Sequence, residues 1–110
     1  MMTPAKKAEI GDKVLHPGIV LLQKYMEPKS INANHLSLDL RVPQNRMWAI
    51  VQGRRGISPD TALRLARFFC TTPEYWLDLQ RAYDLDRAKA EVGDAIAEDV
   101  RDGCGGKKRV

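Results

Sequence analysis

Proline and helix-capping residues divide this chain into short segments, and the spacing of these helix-start and helix-stop signals limits the possible folds more than any other feature. Ser58–Asp60 combines a favoured N-cap residue, a proline for the first helical position and an acid for the first turn. Thr72–Glu74 repeats this signal, and Asn32 is a good N-cap for an earlier helix. A first helix is expected from Pro17 to about Glu27, because the proline that follows Glu27 disfavours helix there. With no convincing strand pattern, the sequence predicts an all-α fold of about five short helices.

The stretch ANHLSLDLRVPQNRMWAIVQG, residues 33–53, predicts two short helices joined by a very short turn. The first carries Leu36 and Leu40 at i, i+4 and stops before Pro43, since the residue before a proline favours an extended conformation. Pro43 suits the first turn of the next helix, and Gly53 is a typical C-terminal stop. Two short helices with a tight turn between them form a helix-turn-helix pattern.

The second helix of this pattern has one apolar side and one polar side. Met47, Ile50 and Val51 fall at i, i+3 and i+4, so we expect them to face the core. The opposite side and its flanks carry the candidates for DNA contact: Gln44, Asn45, Arg46, Trp48, Ala49 and Gln52. Gln, Asn and Arg side chains pair with A and G edges in the major groove, and alanine fits the thymine methyl group. Arg54 and Arg55 follow the helix and are candidates for phosphate contacts.

Trp48 is the largest residue near this polar side, and it lies at its edge on a helical wheel. Three interpretations stay open. Its ring packs sideways over the protein core, or it touches a thymine methyl or sugar in the groove, or it belongs to a surface for a protein partner or a second copy.

The fourth and fifth helices supply apolar surface. One stripe of the fourth helix is small and apolar: Ala62, Leu65, Ala66 and Phe69. The fifth helix, residues 73–85, is apolar on more than one side: Tyr75, Trp76, Leu77, Leu79, Tyr83 and Leu85. Because a small domain offers one core, the second side predicts a symmetric partner. Residues 87–102 keep some helical period, although Gly93 weakens it, so we expect a C-terminal helical extension.

Length and composition limit the classes of function. The chain has 110 residues, a net charge of +4 and a pI near 9.3, which suits one modest domain and is compatible with an anionic partner or with mere solubility charge. Its two cysteines form no CxxC pair and lie far from both histidines in sequence, so no metal site is expected. The lack of catalytic and nucleotide-binding motifs predicts no enzyme activity and no cofactor. No apolar run approaches about 18 residues, which favours the cytoplasm.

Two stretches carry a resemblance to a known family. HPGIVLLQKYMEP, residues 16–28, and VPQNRMWAIVQGRRGISPDTALRLARFFCTTPEYWLDLQ, residues 42–80, closely resemble the HigA (VapI-like) antitoxins of the Xre, lambda-repressor-like helix-turn-helix superfamily. The stretch GRRGISPDTALRLARFF followed by TPEYWLDLQ is highly specific to that family. The likeness implies a compact five-helix DNA-binding and dimerisation domain over residues 16–102. Residues 1–15 are expected to form a flexible arm, and residues 103–110 a disordered tail.

The resemblance also implies partners. Members of this family form dimers, bind palindromic operator DNA at their own promoter and keep a HigB-like mRNA-cleaving toxin inactive. By position, this implies that one set of residues faces DNA: Pro43, Gln44, Asn45, Arg46, Ala49 and Gln52. It places Arg54 and Arg55 near the DNA backbone. It implies that the fifth helix supports the dimer through a second set: Tyr75, Trp76, Leu79 and Tyr83.

The chain departs from the family pattern at three positions. Ala33 stands where a glutamine commonly touches phosphate, Arg41 where the turn usually has a glycine, and Trp48 where a small or polar residue is usual. Arginine adopts the left-handed conformation of such a turn only at some cost. These departures leave two alternatives open: a stand-alone Xre-type repressor, and a protein-binding module whose helix-turn-helix no longer binds DNA.

Overall fold

Five helices follow one another between residues 14 and 104, the part of the chain that the computed structural model describes, and no strand occurs among these residues. Helix α1 begins as an α-helix over Pro17–Val20, widens to a π-helix over Leu21–Met26 and ends in a 3-10 turn over Glu27–Lys29. The other helices are α2 (Ala33–Leu40), α3 (Gln44–Val51), α4 (Pro59–Phe69) and α5 (Pro73–Asp99). The predicted all-α, five-helix architecture is confirmed. Most of the predicted N-terminal arm and C-terminal tail lies outside the described residues.

Side-chain caps start three of the helices where the sequence predicts them. Asn32, Ser58 and Thr72 each accept a hydrogen bond from the backbone N–H three residues later, at 2.7, 3.3 and 3.1 Å respectively. Pro43 was expected inside the first turn of α3, but it occupies the N-cap position with an extended ψ of 142°. The helix therefore begins one residue later, at Gln44.

The π-helical part of α1 ends at Met26, which confirms the predicted end near Glu27–Pro28, but the hydrogen-bond pattern changes before the proline and Glu27 itself stays helical. In the π-helical stretch the N–H of Glu27 bonds to the carbonyl of Leu22, five residues back, and Glu27 keeps helical φ and ψ of −60° and −45°. A 3-10 turn then includes Pro28 without using a proline N–H, and the N–H of Ser30 donates to the Glu27 carbonyl at 3.1 Å. Pro28 stands in the first positions of this 3-10 turn, where its fixed φ of about −65° fits and no N–H is required of it.

Helix α5 runs unbroken for 27 residues and passes through Gly93. The sequence predicts a helix over residues 73–85 and a weaker extension, and the structure joins the two. A single glycine costs roughly 1 kcal/mol in a helix interior. Flanking alanines and an exposed i, i+4 ion pair, Arg87 to Glu91 at 2.8 Å, favour continuation.

One hydrophobic core lies between the helices. The predicted inner stripe of α4 contributes Ala62, Leu65 and Ala66, all buried, and Phe69 packs at the edge of the core. Trp76 of α5 is the largest fully buried side chain, and its indole N–H donates to the Thr71 hydroxyl at 2.8 Å. Each aromatic partner around it is close: ring centroids lie 5.0 Å away for Tyr25 and Tyr75 and 6.4 Å away for Phe69.

The burial of Trp76 corrects its assignment to a dimer interface. With no exposed surface, this side chain belongs to the core of its own protomer. Tyr75 and Leu79 also pack against that core, and Tyr83 places its ring edge-on against His16, with centroids 4.8 Å apart. The wheel of α5 shows two apolar sides, but it cannot show which of them faces the core.

His16 connects the start of α1 to α5 and is buried. Its Nδ1 accepts a hydrogen bond from the N–H of Gly18 at 2.8 Å, which caps the helix. Burial lowers the pKa of His16 below its ordinary value of 6.5, and nearby Asp84 offsets this only in part. The capped state thus requires a neutral imidazole, because a protonated Nδ1 cannot accept a hydrogen bond.

We expect acid to destabilise the protein through His16. Its folded-state pKa lies below the unfolded value, so its stabilisation is complete above pH 6.5 and is lost as the pH falls toward the folded-state pKa. His16→Asn keeps an N-cap acceptor that does not titrate. Urea unfolding at pH 7.5 and pH 5 should show a smaller loss of unfolding free energy for His16→Asn than for the wild type. An equal loss of unfolding free energy in both proteins would show that His16 does not cause the acid sensitivity.

Candidate nucleic-acid interface

The turn between α2 and α3 depends on a left-handed residue. Arg41 has φ of 60° and ψ of 46°, as expected for a position where glycine is usual. The N–H of Val42 then donates to the Ser37 carbonyl at 3.0 Å, which closes the C-terminus of α2. A non-glycine residue in this conformation costs roughly 1–2 kcal/mol. The turn is tight enough to place α3 directly after α2.

Arg64 of α4 supports this turn, and sequence reasoning missed it. Its Nη1 donates to the carbonyl of Leu40 at 2.9 Å and lies 3.4 Å from the carbonyl of Arg41. A cation at a helix C-terminus satisfies carbonyls that the helix leaves unpaired and interacts favourably with the helix dipole. In the sequence, the i, i+4 spacing of Asp60 and Arg64 indicates an ordered arginine side chain. It does not show that this side chain contacts the end of α2.

The inner side of α3 is buried as predicted. Met47 and Ile50 have no exposed surface, and Val51 is nearly covered. At Ile50 the backbone of α1 comes very close: a Cβ added to Gly18 would lie 1.7 Å from the Ile50 carbonyl oxygen. The last turn of α3 therefore packs on a position that accepts only glycine.

The outer side of α3 faces away from the core. Pro43, Gln44, Asn45 and Gln52 are exposed, and Ala49 is half-buried among them. Amides and a small apolar group thus share one open surface with no core contact behind it. We call Gln44, Asn45, Ala49 and Gln52 the outer face of α3.

Arg46 was grouped with these residues, but it points toward α4. Its side chain is only 29% exposed, and Nη1 lies 3.7 Å from Asp60 Oδ2. The same carboxylate oxygen accepts a hydrogen bond from Arg64 Nε at 3.0 Å. The Arg46 Nε is buried and has no hydrogen-bond partner in the described part of the chain. Asp60 therefore joins one flank of α3 to the arginine that supports the turn.

Trp48 lies on the opposite flank and points toward α2. It is 46% exposed, so it is not a core residue. Its indole Nε1–H donates to the Asn34 side-chain oxygen at 3.3 Å, across from α3 to the start of α2. Asn34 is a second residue that sequence reasoning missed, because α2 and α3 are short and their wheels do not show which residues meet.

The loop after α3 is basic and ordered by hydrogen bonds. Gly53 is left-handed, with φ of 78°, which confirms it as the stop of α3. The N–H groups of Arg54 and Arg55 donate to the Ala49 carbonyl at 2.9 and 3.2 Å, and both side chains are exposed. The Arg54 guanidinium also donates to Gln52 at 2.6 Å. Both cations thus stand beside the outer face of α3.

The end of this loop is attached to α5. Ile57 is buried, and its N–H donates to the side-chain oxygen of Gln80 at 2.7 Å. The basic loop is therefore anchored at both ends, at α3 and at α5. Within residues 14–104, no helix is long and apolar enough to cross a membrane, and no three acidic, histidine or cysteine side chains form a cluster that could hold a metal ion.

These features define a class of protein. Two short helices with a tight turn, a second helix with an open amide-bearing face and a basic loop beside it form the helix-turn-helix of DNA-binding domains. In such domains the second helix enters the major groove and basic residues near it contact phosphates.

Comparison with known proteins gives the family. An addiction-module antidote protein of the HigA family from Coxiella burnetii is 44% identical in sequence, with a TM-score of 0.78, over 83% of this chain and 99% of that one. Antitoxin HigA of Pseudomonas aeruginosa, solved with the higBA promoter, is 34% identical, with a TM-score of 0.79, over 81% of this chain and 97% of that one.

Sequence relatives agree with the structural ones. Virulence-associated protein I of Dichelobacter nodosus is 41% identical over 91 residues, which cover 83% of this chain and 82% of that protein. No family model matches the sequence. The chain belongs to the HigA family of helix-turn-helix antitoxins.

Proposed function

We propose that this protein is an antitoxin that binds operator DNA as a homodimer, represses its own promoter in the cytoplasm and neutralises a HigB-like mRNA-cleaving toxin. One observation carries the DNA-binding part: α3 buries Met47, Ile50 and Val51 and leaves an open amide-bearing face in a helix-turn-helix. A HigA antitoxin has been solved with promoter DNA, which supports the same use of this fold.

The outer face of α3 has the chemistry to read base edges. Gln44, Asn45 and Gln52 each offer an amide donor and acceptor, the pair that matches adenine N6 and N7 in the major groove. Pro43 at the N-cap lets the first turn of α3 approach the DNA end-on. Ala49 lies between the amides and fits a thymine methyl group. Arg54 and Arg55 contribute phosphate contacts, which position the protein without selecting sequence.

Arg46 contributes at the flank of this surface. Its guanidinium is held near Asp60, and part of it remains exposed. In this position it reaches a guanine edge or a phosphate beside the bases that Asn45 reads. Ala33 is buried and cannot provide the phosphate contact that the family commonly has at its position.

The dimer contact is proposed on the side of α5 that faces away from the core. Leu85, Val92, Ile96 and Val100 are exposed, between 44% and 63%. At 100° per residue, Val92 lies roughly 160° around the helix from the buried Trp76. We call Leu85, Val92 and Ile96, together with Val100 at the C-cap, the outer stripe of α5. An exposed apolar stripe of this kind is typical of a protein contact surface.

Charge favours a second copy as the occupant. Arg81 and Asp99 lie on the same flank of the outer stripe, near its two ends. In an antiparallel pairing whose two-fold axis lies at the height of Ala90 along the helix, the same flank of the stripe comes together from both copies. Arg81 of each copy then lies opposite Asp99 of the other. The same pairing sets Leu85 against Ile96. Of the four residues expected at the dimer contact, Trp76 is fully buried, and Tyr75, Leu79 and Tyr83 are half-buried against their own protomer, so we place the proposed contact on the outer stripe instead.

We expect Asn45→Ala to lose discrimination between operator and unrelated DNA by roughly 1–3 kcal/mol, because it removes an amide pair from the outer face of α3. Arg54→Ala is the matched control. It should weaken binding to both DNAs alike and reduce the slope of log K against log salt by about 1. Fluorescence anisotropy with the gene's own upstream duplex measures both. If Asn45→Ala discriminates between operator and unrelated DNA as well as the wild type does, α3 is not the helix that contacts the bases.

We expect Val92→Asp to raise the dimer dissociation constant at least about 30-fold, because two carboxylates would be buried near the two-fold axis. Ala90→Asp is the matched control, because it adds the same charge at a similar height on α5 but on an exposed side roughly 160° around the helix from Val92. Sedimentation equilibrium compares the two. If both variants dimerise like the wild type, the outer stripe is not the interface.

A further inference from the structure

Trp48 is the one large apolar side chain on the exposed surface of α3, and the functions assigned above to the outer face do not use it. Nearly half of its surface is open to solvent. On the wheel of α3 it lies roughly 60° from Asn45, on the flank that faces α2. A side chain of this size on that flank has a direct effect on what can approach the outer face.

The indole is held in a defined position. Its Nε1–H donates to the Asn34 oxygen at 3.3 Å, and Asn34 lies in the first turn of α2. The polar edge of the ring is thereby directed at the protein. The apolar remainder of the ring forms a wall between the start of α2 and the middle of α3. Tryptophan is well suited to this, since one edge is polar and the rest of its surface is apolar.

The docking geometry of a helix-turn-helix indicates which part of the DNA lies next to the exposed ring of Trp48. The start of α3 enters the major groove, while the helix before it crosses the sugar-phosphate backbone. A residue between the two faces the rim of the groove. There the C5 methyl of thymine projects beside the backbone of its own strand, and it is the apolar group of the major groove.

We propose that Trp48, positioned by Asn34, contacts the 5-methyl group of a thymine at the edge of each half-site and makes the protein selective for thymine there. This inference rests on the proposed DNA binding and goes beyond it, because it assigns a base and an atom to one residue. Ala49 is the other residue that fits a methyl group, but it lies roughly 100° from Trp48 on the wheel of α3, beyond Asn45, and therefore meets a different base pair.

The test removes single methyl groups from the DNA. The gene's own upstream duplex is made with deoxyuridine in place of thymidine, one symmetric pair of positions at a time, and affinity is measured by anisotropy. Covering one methyl group contributes roughly fourfold in affinity, so a symmetric pair contributes roughly 15-fold. The wild type should show such a loss at one edge pair, and Trp48→Ala should show none there. Ala49→Gly should keep the loss at that pair.

Variants at Asn34 separate positioning from contact. Asn34→Ala frees the indole and should reduce the thymine-to-uracil ratio at the edge pair, whereas Asn34→Asp keeps an acceptor for the indole N–H and should preserve the ratio. A Trp48→Ala protein that retains the full ratio would overturn the inference, even if the variant is less stable. Wild-type binding that is equal for operator and unrelated DNA would overturn the proposed function as well.

Discussion

The contact between the start of α1 and the end of α3 is the constraint on which the rest of the structure depends. Helix α3 has eight residues, and a helix of that length is unstable by itself in water. Its orientation must come from packing. The Gly18 backbone lies against the Ile50 carbonyl so closely that no Cβ fits between them. This close approach, together with the buried Met47, fixes which side of α3 can face outward.

Contacts on both flanks then complete the placement of α3. On one side Asp60 lies between Arg46 and Arg64, and Arg64 in turn binds the carbonyls at the end of α2. On the other side Trp48 is bonded to Asn34. The helix is thus connected to α4 and to α2, and its middle is left open. A reading surface held in this way loses little conformational entropy on binding, which favours affinity.

Much of the fold could be predicted from local signals. Caps such as Ser58 and a stop such as Gly53 act within three or four residues, so the sequence shows them directly. The buried side of α3 follows from its period. The partners of Arg46 and Trp48 could not be found this way, because each contact joins two helices. A helical wheel shows the direction of a side chain but not which other helix it meets. Trp76 was misassigned for the same reason: its period marks an apolar side but not the core side.

The residues after Tyr83 show how one helix serves two purposes. The first turns of α5 pack on the core through Trp76, while its later turns contain no buried residue in the described part of the chain, residues 14–104, and expose Leu85, Val92 and Ile96. Such an exposed apolar stripe fits the proposed contact with a second copy. A two-fold pairing of such helices would also set the distance between two α3 helices, which must match about one turn of DNA.

The antitoxin assignment is tested most directly by sequencing the DNA on either side of the gene and by growth of cells that co-express this chain with any short reading frame found there. Expression of that frame alone should arrest growth, and this chain should relieve the arrest. The Asn45→Ala variant should relieve it equally, because the proposed function assigns the outer face of α3 to DNA and not to the toxin. Arrest that neither chain relieves would contradict the assignment, and so would a neighbouring frame that is harmless when expressed alone.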